Sequence, residues 1–147
     1  MIWAWTLAAY ARPGVPQACL RLQDEFGQNT DLLLWAVWAE TTDPELLARG
    51  AAVARHWEAV ALVPLREVRR ALKAPAPPVA DADREGLRED VKAAELRAER
   101  VLLEALASLS GNERGGAAAL AALQAASSAW TTRAPDEALA VLAAALD

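Results

Sequence analysis

Apolar residues recur at steps of three and four along most of the chain, the period of a helix with one buried face. Ile2–Arg12 reads as a short first helix, stopped by Pro13-Gly14. Pro16 suits the first turn of a second helix, in which Ala18, Cys19, Leu22 and Phe26 share a face and Gly27 supplies the stop. Asn29 or Thr30 can cap a third, with Leu33, Leu34, Val37 and Trp38 as its apolar stripe. Thr42-Asp43-Pro44-Glu45 is a further start signal. Pro44–Lys73 is long for one helix, and Pro64 removes a backbone donor, so a kink is expected near Ala61–Val63. The proline-rich stretch 74–82 predicts a linker. Beyond it, Arg84–Ser110 gives the strongest helical pattern, with Leu87, Val91, Ala94, Ala98, Val101 and Ala105 spaced like a coiled-coil seam. Gly111-Asn112 ends that helix. Ala117–Trp130 and Pro135–Leu146 read as alanine-rich helices that could pack, swap between subunits or fray.

No sustained strict alternation predicts a strand, and no internal repeat is evident. The expected fold is all-α: a compact bundle of five to seven helices around a long antiparallel hairpin. Residues 1–147 form one domain, with 1–110 as core bundle and 111–147 as an alanine-rich helical tail. Composition sharpens this, because six Trp stand against one Tyr and one Phe, leaving leucine, alanine and tryptophan to build the core. Cys19 is the only cysteine, so no intramolecular disulfide is possible and a cytoplasmic location is expected. Met1–Tyr10 lacks the basic leader of a signal peptide, and no run approaches the roughly 20 apolar residues that span a bilayer.

The net charge of −5 argues against general nucleic-acid binding. Residues 44–73 nevertheless carry six cations against three anions, in an otherwise acidic chain. Arg66, Arg69, Arg70 and Lys73 fall on one helical face. An antiparallel hairpin turning at the linker would bring Arg70 near Leu87–Arg88 and Arg66 near Val91–Lys92. Arg88 and Lys92 would then join the same end, tempered by Glu67, Glu85 and Glu89. Guanidinium groups suit phosphates and carboxylates, so this face could hold an anionic ligand or an acidic partner. A solvated face with intramolecular ion pairs is the alternative.

Trp35 and Trp38, three residues apart, share a face and could line a groove with Trp3, Trp5 or Trp57; the same residues could simply fill the core, with Trp3 or Trp35 partly exposed. The polar connector Gln23–Asp31, with Gln23 and Asp24 as candidate contacts, could lock helix ends or line a small cleft. Asp24, Glu25 and Asp31 read as surface and capping residues. Cys19 and His56 carry no nucleophile–base signature, and Cys19, on an apolar stripe, reads as a buried structural thiol. With one His and one Cys, no Glu-x-x-His pair, no Asp-rich calcium loop and no glycine-rich phosphate loop, neither metal nor cofactor is expected.

Several stretches carry a resemblance: Trp5, Tyr10–Val15, Ala18–Asp24, Leu32–Leu34 with Trp38, Trp57 with Val60, Pro64–Lys73 and Val91–Arg100. In order and spacing they resemble an uncharacterised proteobacterial family of small proteins, domain of unknown function 2390. The resemblance covers about the first 105 residues, not the alanine-rich tail. It implies a free-standing helical domain and brings no activity or ligand with it. The leading expectation is a non-enzymatic interaction or adaptor protein that holds another protein or an anionic ligand, without a membrane. The alternative is a small-molecule or anion-binding protein, with or without catalysis, using a cleft between the Gln23–Asp31 connector and Arg66 or Arg70. Homo-oligomerisation is left open.

Overall fold

A computed structural model describes residues 1–147 as helices joined by short loops, with no strand. The helices are α1 (Ile2–Tyr10), α2 (Val15–Phe26), α3 (Thr30–Trp38), α4 (Pro44–Trp57), α5 (Val63–Ala71), α6 (Asp81–Ser110), α7 (Ala119–Trp130) and α8 (Asp136–Leu146). A π-helical turn, Glu58–Leu62, joins α4 to α5 without a break, so the bundle consists of seven rods.

The caps form where the residue types demand them. Gly27 ends α2 in the left-handed region at φ 62°, which an L side chain rarely adopts. Asn29 caps α3, its side-chain oxygen accepting from the Leu32 amide at 2.9 Å, and Asp43 caps α4 in the same way from Glu45. Pro64 has no N–H to donate, and its ring crowds the preceding turn. The ladder widens just before it, with the Val63 amide reaching back five residues to the Glu58 carbonyl. The kink expected at Ala61–Val63 is therefore a π turn.

α3 is the centre of the molecule. Asp31–Ala36 and Trp38 are buried, and α3 contacts α1, α2, α4, α6 and α7. It is apolar almost all round rather than along one stripe, which suits a helix enclosed by others. Of the two tryptophans expected to be partly exposed, Trp3 is half-buried and Trp35 is fully buried. Its ring lies against Gly50 of α4, and its indole N–H donates to Ser110 Oγ at 3.1 Å. Trp57 and Trp130 likewise donate, to the Ala98 and Gly27 carbonyls. Trp35, Trp57 and Trp130 thus each keep a partner for the one polar atom of the indole.

The tail packs within its own chain. Ala122, Leu123, Ala126, Trp130, Leu139 and Leu142 join the single cluster of buried apolar residues that begins at Ile2. The α5–α6 hairpin is antiparallel as expected, since Arg88 Nε donates to the Arg69 carbonyl at 3.3 Å and Arg84 Nη1 to the Leu72 carbonyl at 2.7 Å. The coiled-coil seam is not where the apolar spacing put it. Leu87 and Val101 are 52% and 42% exposed, Ala94 and Ala105 lie outside, and only Ala98 is buried. Arg84, Ala98, Leu102 and Leu106 face inward instead, with Val91 and Glu95 half-buried. The linker end of the seam is polar, and a search for apolar periodicity passes over it.

Candidate functional site

Five segments meet around one small polar cleft of about 70 Å³: the C-terminal end of α2, the Gly27–Asn29 connector, the start of α3, the π turn with α5, and the middle of α6. Its polar lining includes Gln23, Asn29, Asp31, Glu58, Arg66 and Glu99; Leu62 is its one apolar lining residue.

The connector that forms one wall is rigid for local reasons. Gln28 donates to the Phe26 and Thr132 carbonyls and accepts from Ser127 Oγ at 2.7 Å, and Ser127 Oγ in turn accepts from the Ala134 amide. Asn29, while capping α3, donates through Nδ2 to Glu58 Oε2 at 2.7 Å. The connector therefore both locks helix ends and lines a cleft. The π turn places Glu58, Leu62 and Arg66 on the opposite wall.

Asp31 is the unusual member. It is 5% exposed, and its carboxyl gains nothing from any hydrogen bond. Burial lifts its pKa well above the usual carboxylate range; Glu99 and Glu58 add to the rise, and Arg66 opposes it. Burial also pushes Glu99 up to about 7, with Glu95 raising it further and Arg66 and Arg69 pulling it down. One guanidinium does not offset the lost hydration of these carboxyls. Arg66, its side chain 17% exposed, has a buried Nε without a partner and lies 3.8 Å from Glu95. Arg69 holds Glu95 more closely, at 2.5 Å.

The basic residues expected to form one recognition face separate into several environments. Arg66 lines the cleft, Arg69 pairs with Glu95, Arg88 donates to a backbone carbonyl, and Lys92 pairs with Glu89 at 3.1 Å. Arg70 and Lys73 are exposed. Among the other candidates, Gln23 lines the cleft, whereas Asp24 is exposed and does not. Trp35 is sealed in the core and presents no contact surface. Trp38 is buried, with the Arg114 guanidinium 4.2 Å from its ring centre. Trp57 does border a groove: with Val53, His56, Val101 and Leu102 it lines an apolar depression of about 380 Å³ between α4 and α6.

Cys19 is buried, and burial pushes its thiol up to about 12, with a Tyr10 hydrogen bond opposing the shift. His56 lies in the α4–α6 groove, apart from the α1–α2 packing around Cys19. No group of acidic, His or Cys side chains is arranged to hold a metal ion. Asp31 was expected at the surface and is the most enclosed carboxyl in the cleft. The signal that points to it is its position as the only charged residue in the apolar sequence of α3. Glu58 and Glu99 carry no such signal, because each lies in a helix rich in surface charges.

The family described as "protein of unknown function (DUF2390)" matches residues 1–106. The chain belongs to this family. The match takes in every residue that lines the cleft and stops within α6, so α7 and α8 complete the bundle from outside the matched region. Comparison with curated proteins and with solved structures gave no match. No helix is long and apolar enough to cross a membrane.

Proposed function

We propose that this protein binds a small polar ligand in the cleft between the α2–α3 connector and the α5–α6 hairpin. The observation that carries this is a polar cavity lined by Asp31, 5% exposed and accepting no hydrogen bond, and by Arg66, whose buried Nε has no partner. Leaving a buried polar group unpaired costs about 1–3 kcal/mol, more when it is charged, and such groups concentrate where a ligand completes the pairing. The π turn beneath Glu58 supports the same reading, since π bulges are frequent at functional sites. The volume of about 70 Å³ is several waters' worth and far below a drug-sized pocket, so the cleft suits the head group of a small molecule.

The adaptor reading, which leads from the sequence, keeps Arg70, Lys73 and Lys92 toward solvent, whereas Arg66, Arg69 and Arg88 are engaged between α5 and α6. Its other candidate surface is the apolar groove beside Trp57. A cytoplasmic setting, proposed from the lone reduced Cys19, fits a protein that meets small metabolites.

The test is a ligand-observed NMR screen of small polar molecules against the wild type and Gln23→Trp. Gln23 is half-buried, so the indole can cover the cleft without entering the core. Hits should bind the wild type and weaken at least about tenfold, roughly 1.4 kcal/mol, in the covered variant. Equal binding to both would place the ligand elsewhere.

A further inference from the structure

We infer that the cleft takes the head group of a small primary amine or amino acid, with a protonated ammonium among Asp31, Glu58 and Glu99 and an acceptor atom of the ligand on Arg66. This rests on the cleft being a ligand site and names the chemistry that site would recognise.

Charge in the lining is lopsided, with three carboxyls against one guanidinium. Gln28 spends its amide on the Phe26 and Thr132 carbonyls and on Ser127 Oγ of α7, and Asn29 spends Nδ2 on Glu58 Oε2 and Oδ1 on the α3 cap. The carboxyls of Asp31 and Glu99 and the second oxygen of Glu58 remain as acceptors. Against three carboxyls stands one cation, Arg66, whose buried Nε has no partner. An ammonium carries three N–H donors and no acceptor, so it matches the surplus. An arginine Nε offers one more N–H, which suits a carboxylate or hydroxyl adjacent to that ammonium.

Charge and geometry exclude the other classes. A free anion would meet three carboxyls and a single guanidinium that already shares Glu95 with Arg69. A hard metal ion needs its oxygens converging at about 2.0–2.6 Å, and no acidic cluster in this chain has that arrangement. Ammonium-to-carboxylate hydrogen bonds are longer, about 2.7–2.9 Å, so carboxyls that do not converge at metal distances can still meet one ammonium. Size limits what else enters. With about 70 Å³ and Leu62 as the only apolar wall, an aliphatic tail finds nothing to pack on inside and would leave past Gln23. The site would therefore read the head group and tolerate varied tails.

The experiment uses the full chain with ethanolamine, methylammonium and glycine as probes, and acetate, phosphate and glycerol as controls at matched ionic strength. Thermal shift and titration calorimetry are the readouts. The amines should raise Tm and titrate, and Asp31→Asn should weaken all of them at least about tenfold while circular dichroism stays unchanged. Glu99→Gln is the second variant, with the same expected loss should Asp31→Asn fail to fold. Arg66→Gln should weaken glycine and ethanolamine but spare methylammonium, which has no acceptor. Binding of acetate, phosphate or glycerol instead of the amines, with loss in Gln23→Trp, would overturn the amine class and leave the cleft standing as a site. Silence of every probe, together with no hit sensitive to Gln23→Trp, would overturn both.

Discussion

Gly50 has its reason on a neighbouring helix. It sits within α4, where glycine weakens a helix by about 1 kcal/mol relative to alanine. A Cβ at this position would collide with the six-membered ring of Trp35, which is fully buried and tied to Ser110. Overpacking a filled core costs about 1–3 kcal/mol, which outweighs the helix gain. Gly50→Ala should therefore destabilise by up to about 2 kcal/mol in urea unfolding. A stabilised variant would show that Trp35 can move aside. Cap residues were legible at this scale: Gly27, Asn29 and Asp43 do what their chemistry prescribes. The burial of Asp31 was not, because a carboxylate one residue into a helix reads as a dipole partner at the surface. Only tertiary enclosure of α3 turns it into a buried group.

Among the elements, α6 shows where periodicity stops informing. Its apolar repeat predicted a seam through Leu87, Ala94 and Val101, yet the packed face runs through Arg84, Glu95, Ala98 and Leu102. Arg84 is buried because its guanidinium reaches the carbonyls that end α5 and the carboxyls of Asp81 and Glu85. Such a polar seam satisfies helix ends, and no hydropathy pattern marks it. The helix also starts at Asp81 rather than Arg84, with Asp81 and Asp83 in the first turn where the dipole favours them. Because Ala94 is exposed, substitutions there should report helix propensity alone. Ala94→Gly should cost about 1 kcal/mol and Ala94→Pro about 3 kcal/mol in thermal or urea unfolding. A loss well beyond about 1 kcal/mol for glycine would put Ala94 back in a packed seam.

The whole molecule assembles what no single segment announces. The helical class, the linker and the antiparallel hairpin followed from sequence, but the cleft needs α2, α3, the π turn, α5 and α6 together. Two raised carboxyls at its centre tie stability to pH. Glu99 in the folded protein holds a proton up to about 7, whereas unfolded it releases that proton near its ordinary value of 4.5. Across that interval the folded state binds more protons, so stability falls as pH rises. Asp31 shifts in the same direction from its ordinary 3.8. The opposite shift of Glu137, held down by Arg21, occurs at the open surface and is screened by solvent.

The central claim is that Asp31 is kept for binding and at a cost to the fold. Urea unfolding of the wild type and Asp31→Asn, from about pH 5 to about pH 8, tests it most directly. Asparagine keeps the shape and removes the charge that burial penalises. The expected result is a wild type that weakens with rising pH, and an Asp31→Asn protein more stable than it at about pH 8 by on the order of 1 kcal/mol or more, with the gap closing toward about pH 5. An Asp31→Asn protein less stable than the wild type at about pH 8 would contradict the claim, because the carboxylate would then be holding the fold together rather than waiting for a ligand.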